Sequence, residues 1–186
     1  HTDNRRQRQM CIRDSPYKLL NSSFGGSGYD VACGLADGPI FYSKKQSNPK
    51  VESISLSPIF FEKLYFVYLN QKADSQKAVH DFDLNKVNTR IIKKLDNLTE
   101  EMSSTYDINK FKNAMEEHEK IIGSMIKKHP IKDVLFSNFT GSIKSLGAWG
   151  GDFILVTENE DRDTEKYFKK MGYNTVIPWK EMSLVH

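Results

Sequence analysis

Cysteine is nearly missing from this sequence: Cys11 and Cys33 are the two among 186 residues. So few thiols build neither a disulfide framework nor a cysteine metal site. Histidine is thin too. His1, His80, His118, His129 and His186 are scattered without ligand spacing, and no metal centre is expected from them. Long apolar runs are also absent. The longest, Leu64 to Leu69, is strand-sized and far from the roughly 20 residues that span a bilayer, so no membrane partner is expected. The N-terminal residues contain no apolar signal core, and with the scarcity of cysteine this suits a cytoplasmic location.

An excess of one charge is missing as well, once the first residues are set apart. Arg5 to Ser15 reads RRQRQMCIRDS, which resembles one reading frame of a transposase adapter used in short-read sequencing. Residues 1–15 are therefore excluded as an adapter-derived, disordered segment, and Cys33 becomes the one native cysteine. Without their four Arg and two Asp, 23 basic and 22 acidic residues remain, a net charge of +1 instead of +3. A nucleic-acid footprint needs a marked basic face, so no nucleic-acid partner is expected. Cys33 lies in an apolar run and reads as a small packed hydrophobe.

What is present is glycine, in two clusters. The first opens the stretch Gly25 to Lys44, GGSGYDVACGLADGPIFYSK, and frames Asp30 with Gly28 and Tyr29. Glycine lets a backbone take positive φ and approach a ligand closely, so a carboxylate held there can meet a substrate hydroxyl. The second, Gly147-Ala148-Trp149-Gly150-Gly151-Asp152, stands just before the strand-like Phe153 to Val156. The two loops are expected to face one site.

Between them the pattern is mixed. Ile40 to Tyr42 and Val51 to Ser57 read as strands, the latter by its period of two, with a turn at Ser47 to Lys50. Lys63 to Leu69 is the strongest strand by aromatic and branched content. Asp74 or Ser75 can cap a helix from Gln76, whose free first amides would suit a phosphate. Residues 84–127 predict two amphipathic helices broken at Ser103 to Asp107, with Asp107 as N-cap and Glu116 to Lys120 as a solvated face. A short helix from Ile131, a glycine loop over residues 141–151 and a strand over Phe153 to Thr157 follow. A helix over Asp161 to Met171 closed by Gly172 and a last strand at Tyr173 to Ile177 complete the order. This is the order of an α+β sandwich with helices on one face of an antiparallel sheet.

At Gly28-Tyr29-Asp30-Val31-Ala32 and Lys144 to Asp152 the chain resembles the GHMP kinases, in particular the bacterial GYDIA-type group related to mevalonate and phosphomevalonate kinases. The second stretch is similar to the family's Gly-Ala-Gly-Gly-Gly motif, with Trp149 in place of one glycine. The family's Pro-x-x-x-Gly-Leu-Gly-Ser-Ser loop, which cradles ATP, has no counterpart in the chain. The resemblance thus implies the C-terminal part of a two-domain GHMP kinase fold. Residues 16–70 would be a remnant of the N-terminal kinase domain, and residues 71–186 a ferredoxin-like α/β sandwich.

The implied activity is ATP-dependent transfer of a γ-phosphoryl group to a hydroxyl or phosphate of a small molecule, near isoprenoid precursor synthesis, with Mg2+ arriving with the nucleotide. In that role Asp30 would be the catalytic base, and Ser27, Gly28 and Ser75 would bind substrate. Lys144, Gly147, Ala148, Gly150 and Gly151 would lie near the phosphates. The segment by itself is expected to be inactive. The alternative is a metabolite-binding or interaction module of the same fold without catalysis.

Overall fold

The computed structural model describes residues 27–45, 48–55, 62–71, 87–147, 149, 152–158 and 163–182. The architecture is mixed α+β, and the chain divides into two compact units, one ending at Ser55 and one running from Leu56 to Ser183.

In the first unit a short helix, α1 (Tyr29–Gly34), precedes an antiparallel hairpin of β1 (Ile40–Lys45) and β2 (Asn48–Ser53). The helix forms because Gly28, at φ 82, turns the chain sharply before the first helical residue. β2 begins at Asn48, earlier than the period-two pattern suggested, and carries Pro49 opposite Lys44. Proline is tolerated because both strands of a two-stranded sheet are edges. Cys33 is exposed on α1, not packed as its apolar neighbours implied.

The second unit runs β3 (Leu64–Tyr68), α2 (Thr89–Ser104), α3 (Ile108–Ile126), α4 (Ile131–Leu135), β4 (Ile143–Ser145) and β5 (Phe153–Thr157), then α5 (Thr164–Lys170), β6 (Val176–Pro178) and α6 (Trp179–Met182). Side-chain caps start its longer helices. Asn88 accepts from the Ile91 amide at 3.0 Å, and Asp107, as its place in the sequence predicts, accepts from the Asn109 amide at 2.8 Å. Asp163 accepts from the Lys166 amide at 2.9 Å. α5 ends as Gly172 foretold: at φ 90 that glycine lets its own amide reach Lys169 and the Tyr173 amide reach Phe168, both at 3.0 Å. The helix start expected at Gln76 lies outside the described residues.

The four strands are antiparallel throughout, in the order β4-β5-β3-β6. β3, which the sequence assigned to the N-terminal segment, lies inside this sheet, with β5 along one edge and β6 along the other. Register splits the side chains into two faces. Tyr65, Val67, Ile143, Ile154, Val156 and Val176 share one, where Val67, Ile154 and Val156 pack with Ile131, Phe136, Phe139, Tyr167 and Phe168. Leu64, Phe66 and Leu155 share the other. There Leu64 and Leu155 pack with Phe111 and Met115 of α3, and Phe66 stacks on Trp179 with ring centroids 5.3 Å apart. Helices therefore cover both faces instead of the expected one, because β3 and β5 are apolar on both sides. No helix among the described residues is long and apolar enough to cross a membrane.

Candidate functional site

Ser27, Gly28 and Asp30 come together at the start of α1. Ser27 Oγ accepts from the Tyr29 amide at 3.2 Å, and the Tyr42 hydroxyl donates to the Ser27 carbonyl. The Tyr29 and Tyr42 rings meet edge to face at 5.8 Å, so β1 braces the turn. A hydrogen bond with Cys33, one turn along, and partial burial push the Tyr29 hydroxyl up to about 12. Asp30 is exposed in the first helical turn. It sits on a helix, not on the loop that its glycine neighbours suggested.

In the second unit the polar groups converge on α3 and β4. Glu119 is 1 % exposed, and its Oε1 accepts from the Ser145 amide at 3.1 Å and the Ser145 hydroxyl at 2.6 Å. One helical turn earlier Glu116 Oε1 accepts from Ser142 Oγ at 2.8 Å and from Lys132 Nζ at 3.2 Å. Two carboxylates three residues apart on one helix thus meet Ser142, just before β4, and Ser145, at its end. This covers β4, an edge strand whose free backbone would otherwise invite pairing.

Lys144 points to the same helix. Its Nζ lies 3.1 Å from His118 Nδ1 and 4.0 Å from Glu119 Oε2, and its side chain is 19 % exposed. With Lys144 charged, Nδ1 is the acceptor, which puts the imidazole proton on Nε2. Burial pulls Lys144 below its ordinary value, partly countered by Glu119. Burial and then the Lys144 charge hold His118 down at about 4. Burial raises Glu119, against the opposing pull of Ser145, Lys144 and Trp149. Burial also pushes Glu116 upward, but Ser142 and Lys132 outweigh it and leave the carboxyl lowered.

Gly147, at φ 60, and Trp149, at φ 51, both take left-handed backbone between β4 and β5. For tryptophan this conformation costs on the order of 1 kcal/mol, and packing holds it. The ring is 8 % exposed and lies on Gly123 of α3, where a Cβ would come within 2.6 Å of Trp149 Cη2. Among the described residues a Cβ at Gly147 would meet nothing within 4 Å.

The described residues of the two glycine segments belong to different compact units. Ser75, Ala148, Gly150 and Gly151 lie outside the described residues. The sequence reading missed Glu116, His118 and Glu119, taking them for a solvated face. The signal was there: Phe111, Met115, Glu119 and Gly123 step by four along one stripe of α3, all four buried. Among the described residues no group of three or more His, Cys, Asp or Glu could hold a metal ion. A cavity of about 120 Å³ lined by Lys63, Ile108, Asn109, Lys112, Thr157 and Glu158 is smaller than the roughly 300 Å³ at which ligand pockets begin. Compared with known protein families, curated proteins and solved structures, the chain matches none.

Proposed function

We propose that this chain is the C-terminal portion of an ATP-dependent small-molecule kinase of the GHMP type. The observation that carries the reading is the backbone of its two motifs. Gly28 and Gly147, at φ 82 and 60, are left-handed glycines within three residues of Asp30 and Lys144. Both motifs thus turn the chain where a kinase of this type needs backbone close to a ligand. The strand order β4-β5-β3-β6, with each helical crossover joining strands separated by one other, is that of a ferredoxin-like sheet, which also supports the reading.

Phosphoryl transfer demands positioning and charge neutralisation more than covalent work by the protein. Asp30, exposed and two residues after Gly28, is the base that would take the proton of the acceptor hydroxyl. Gly147 would offer its amide to phosphate oxygens. ATP with Mg2+ supplies the phosphoryl group, and the acceptor is a small alcohol or phosphate monoester of mevalonate type, in the cytoplasm. The test is γ-phosphoryl transfer by the chain extended upstream from its own locus. Asp30→Asn there is expected to lower turnover roughly 10²–10⁴-fold; undiminished turnover rules Asp30 out.

One observation favours a second reading, a metabolite-binding module without catalysis. Trp149 fills a glycine position of the second motif, with its buried ring on α3. A rise in melting temperature with metabolite but no phosphoryl transfer in the extended chain would select it, since a ligand that binds only the native state must stabilise it.

A further inference from the structure

We propose that Glu119 is a positioning residue for the second glycine motif, setting the register of β4 and so the placement of Lys144 and Gly147. This rests on the kinase reading for the purpose of that motif, but the geometry stands apart from it. β4 has three residues, and a slip of one residue would exchange its two faces and take Ile143 out of the core. Ser145 would then turn where Lys144 is, and the Lys144 amine would leave His118.

Glu119 opposes this slip from outside the sheet. Its Oε1 takes both donors of Ser145, one from backbone and one from side chain, and a slipped register would carry that residue away from the carboxylate. Among the described residues its Oε2 finds no hydrogen-bond partner, nor does Trp149 Nε1, although the indole contributes to lowering the Glu119 carboxyl. The carboxylate therefore holds Ser145, two residues before Gly147. The next turn of α3 supplies Gly123, whose missing side chain makes room for the Trp149 ring. A buried carboxylate is a poor way to gain stability, since an apolar residue of similar size often does as well or better. Its gain here is specificity of placement.

The test uses the 186-residue chain carrying Trp179→Phe, which leaves Trp149 as the sole tryptophan emitter. Glu119→Gln is compared with Glu116→Gln, which loses contacts of the same kind on the same helix but reaches only Ser142 and Lys132. Two readouts are taken: Trp149 emission with its quenching by acrylamide, and the Mg·ATP concentration that half-shifts the melting temperature. Glu119→Gln is expected to move Trp149 emission to the red, increase quenching, and weaken the Mg·ATP half-point about tenfold, the scale of one charge-assisted hydrogen bond. Glu116→Gln is expected to leave both near the parent values. Equal emission changes in the two variants, or none in Glu119→Gln, would overturn the proposal. If Mg·ATP does not shift the parent chain, which has no counterpart of the ATP-cradling loop, the emission comparison alone decides the role of Glu119. Should Glu119→Gln fail to fold, Ser145→Ala, which removes only the hydroxyl donor, is read in the same way.

Discussion

Glu119 Oε1 receives two hydrogen bonds from the same residue, the amide and the hydroxyl of Ser145, at 3.1 and 2.6 Å. A helix and an edge strand are joined there through one buried oxygen. Ser145→Ala should cost about 1–3 kcal/mol, the usual range when a bond to a buried charged group is lost. In a Glu119→Gln background the same change should cost clearly less. Urea unfolding of the four proteins of this cycle gives the coupling directly, and a coupling of zero would mean that the two side chains act independently.

Gly123 is set by the Trp149 ring and by backbone together. A Cβ there would lie 2.6 Å from Trp149 Cη2 and 2.7 Å from the Lys128 carbonyl oxygen. Gly123→Ala should therefore destabilise the fold by about 1–3 kcal/mol through overpacking. Adding Trp149→Ala should recover part of that cost and not all, because the carbonyl remains. Full recovery would locate the whole strain in the ring.

Two other glycines separate steric from conformational demand. At Gly141 a Cβ would meet the Thr157 and Glu158 carbonyl oxygens at 2.6 and 2.8 Å and the Phe139 ring at 2.6 Å. At Gly172 it would meet nothing within 4 Å, but φ is 90. Gly172→Ala should cost about 1 kcal/mol, the left-handed penalty alone. Gly141→Ala should cost more, since strand backbone must move. Thermal melts that rank the two variants the other way would contradict the packing around Gly141.

Acid should weaken the fold through His118. Its imidazole is held at about 4 against an ordinary 6.5, by burial and then by the Lys144 charge. Between those values the unfolded chain binds a proton that the folded chain refuses, so stability falls as pH drops through this window and levels below it. Glu119 works in the opposite sense. Burial raises its carboxyl, so protonation recovers stability as pH falls through the folded value toward the ordinary 4.5. His118→Gln should flatten the decline between pH 6.5 and 4, and Glu119→Gln should steepen it. Urea midpoints taken across that range check both signs.

Much of the second unit is legible along the chain because its signals are local. The Asp107 cap, the Gly172 stop and the Phe153–Thr157 strand depend on a few neighbouring residues, and the structure has them where the pattern puts them. β4 was hidden inside a segment that reads as a glycine loop. Its three residues form a strand only because β5 lies alongside, with Ile143 opposite Val156. Asp30 was legible as a residue framed by glycine, yet its place on α1 was not. Turn and helix start share the same local signals there, and hydrogen bonds such as Ala32 N–H to Gly28 C=O at 3.0 Å decide between them.

The sequence by itself determined the α+β order, the Asp107 cap and the Gly172 stop, since each follows from residues within a turn or two of one another. Only the tertiary structure decided that helices cover both faces of the sheet and that Glu119 is buried instead of solvated. It also placed Trp149 on Gly123. Those outcomes depend on which surfaces meet across long separations in the chain, and a charge on an apolar helical stripe reads as solvated until the partner that satisfies it, here Ser145, is brought to its side.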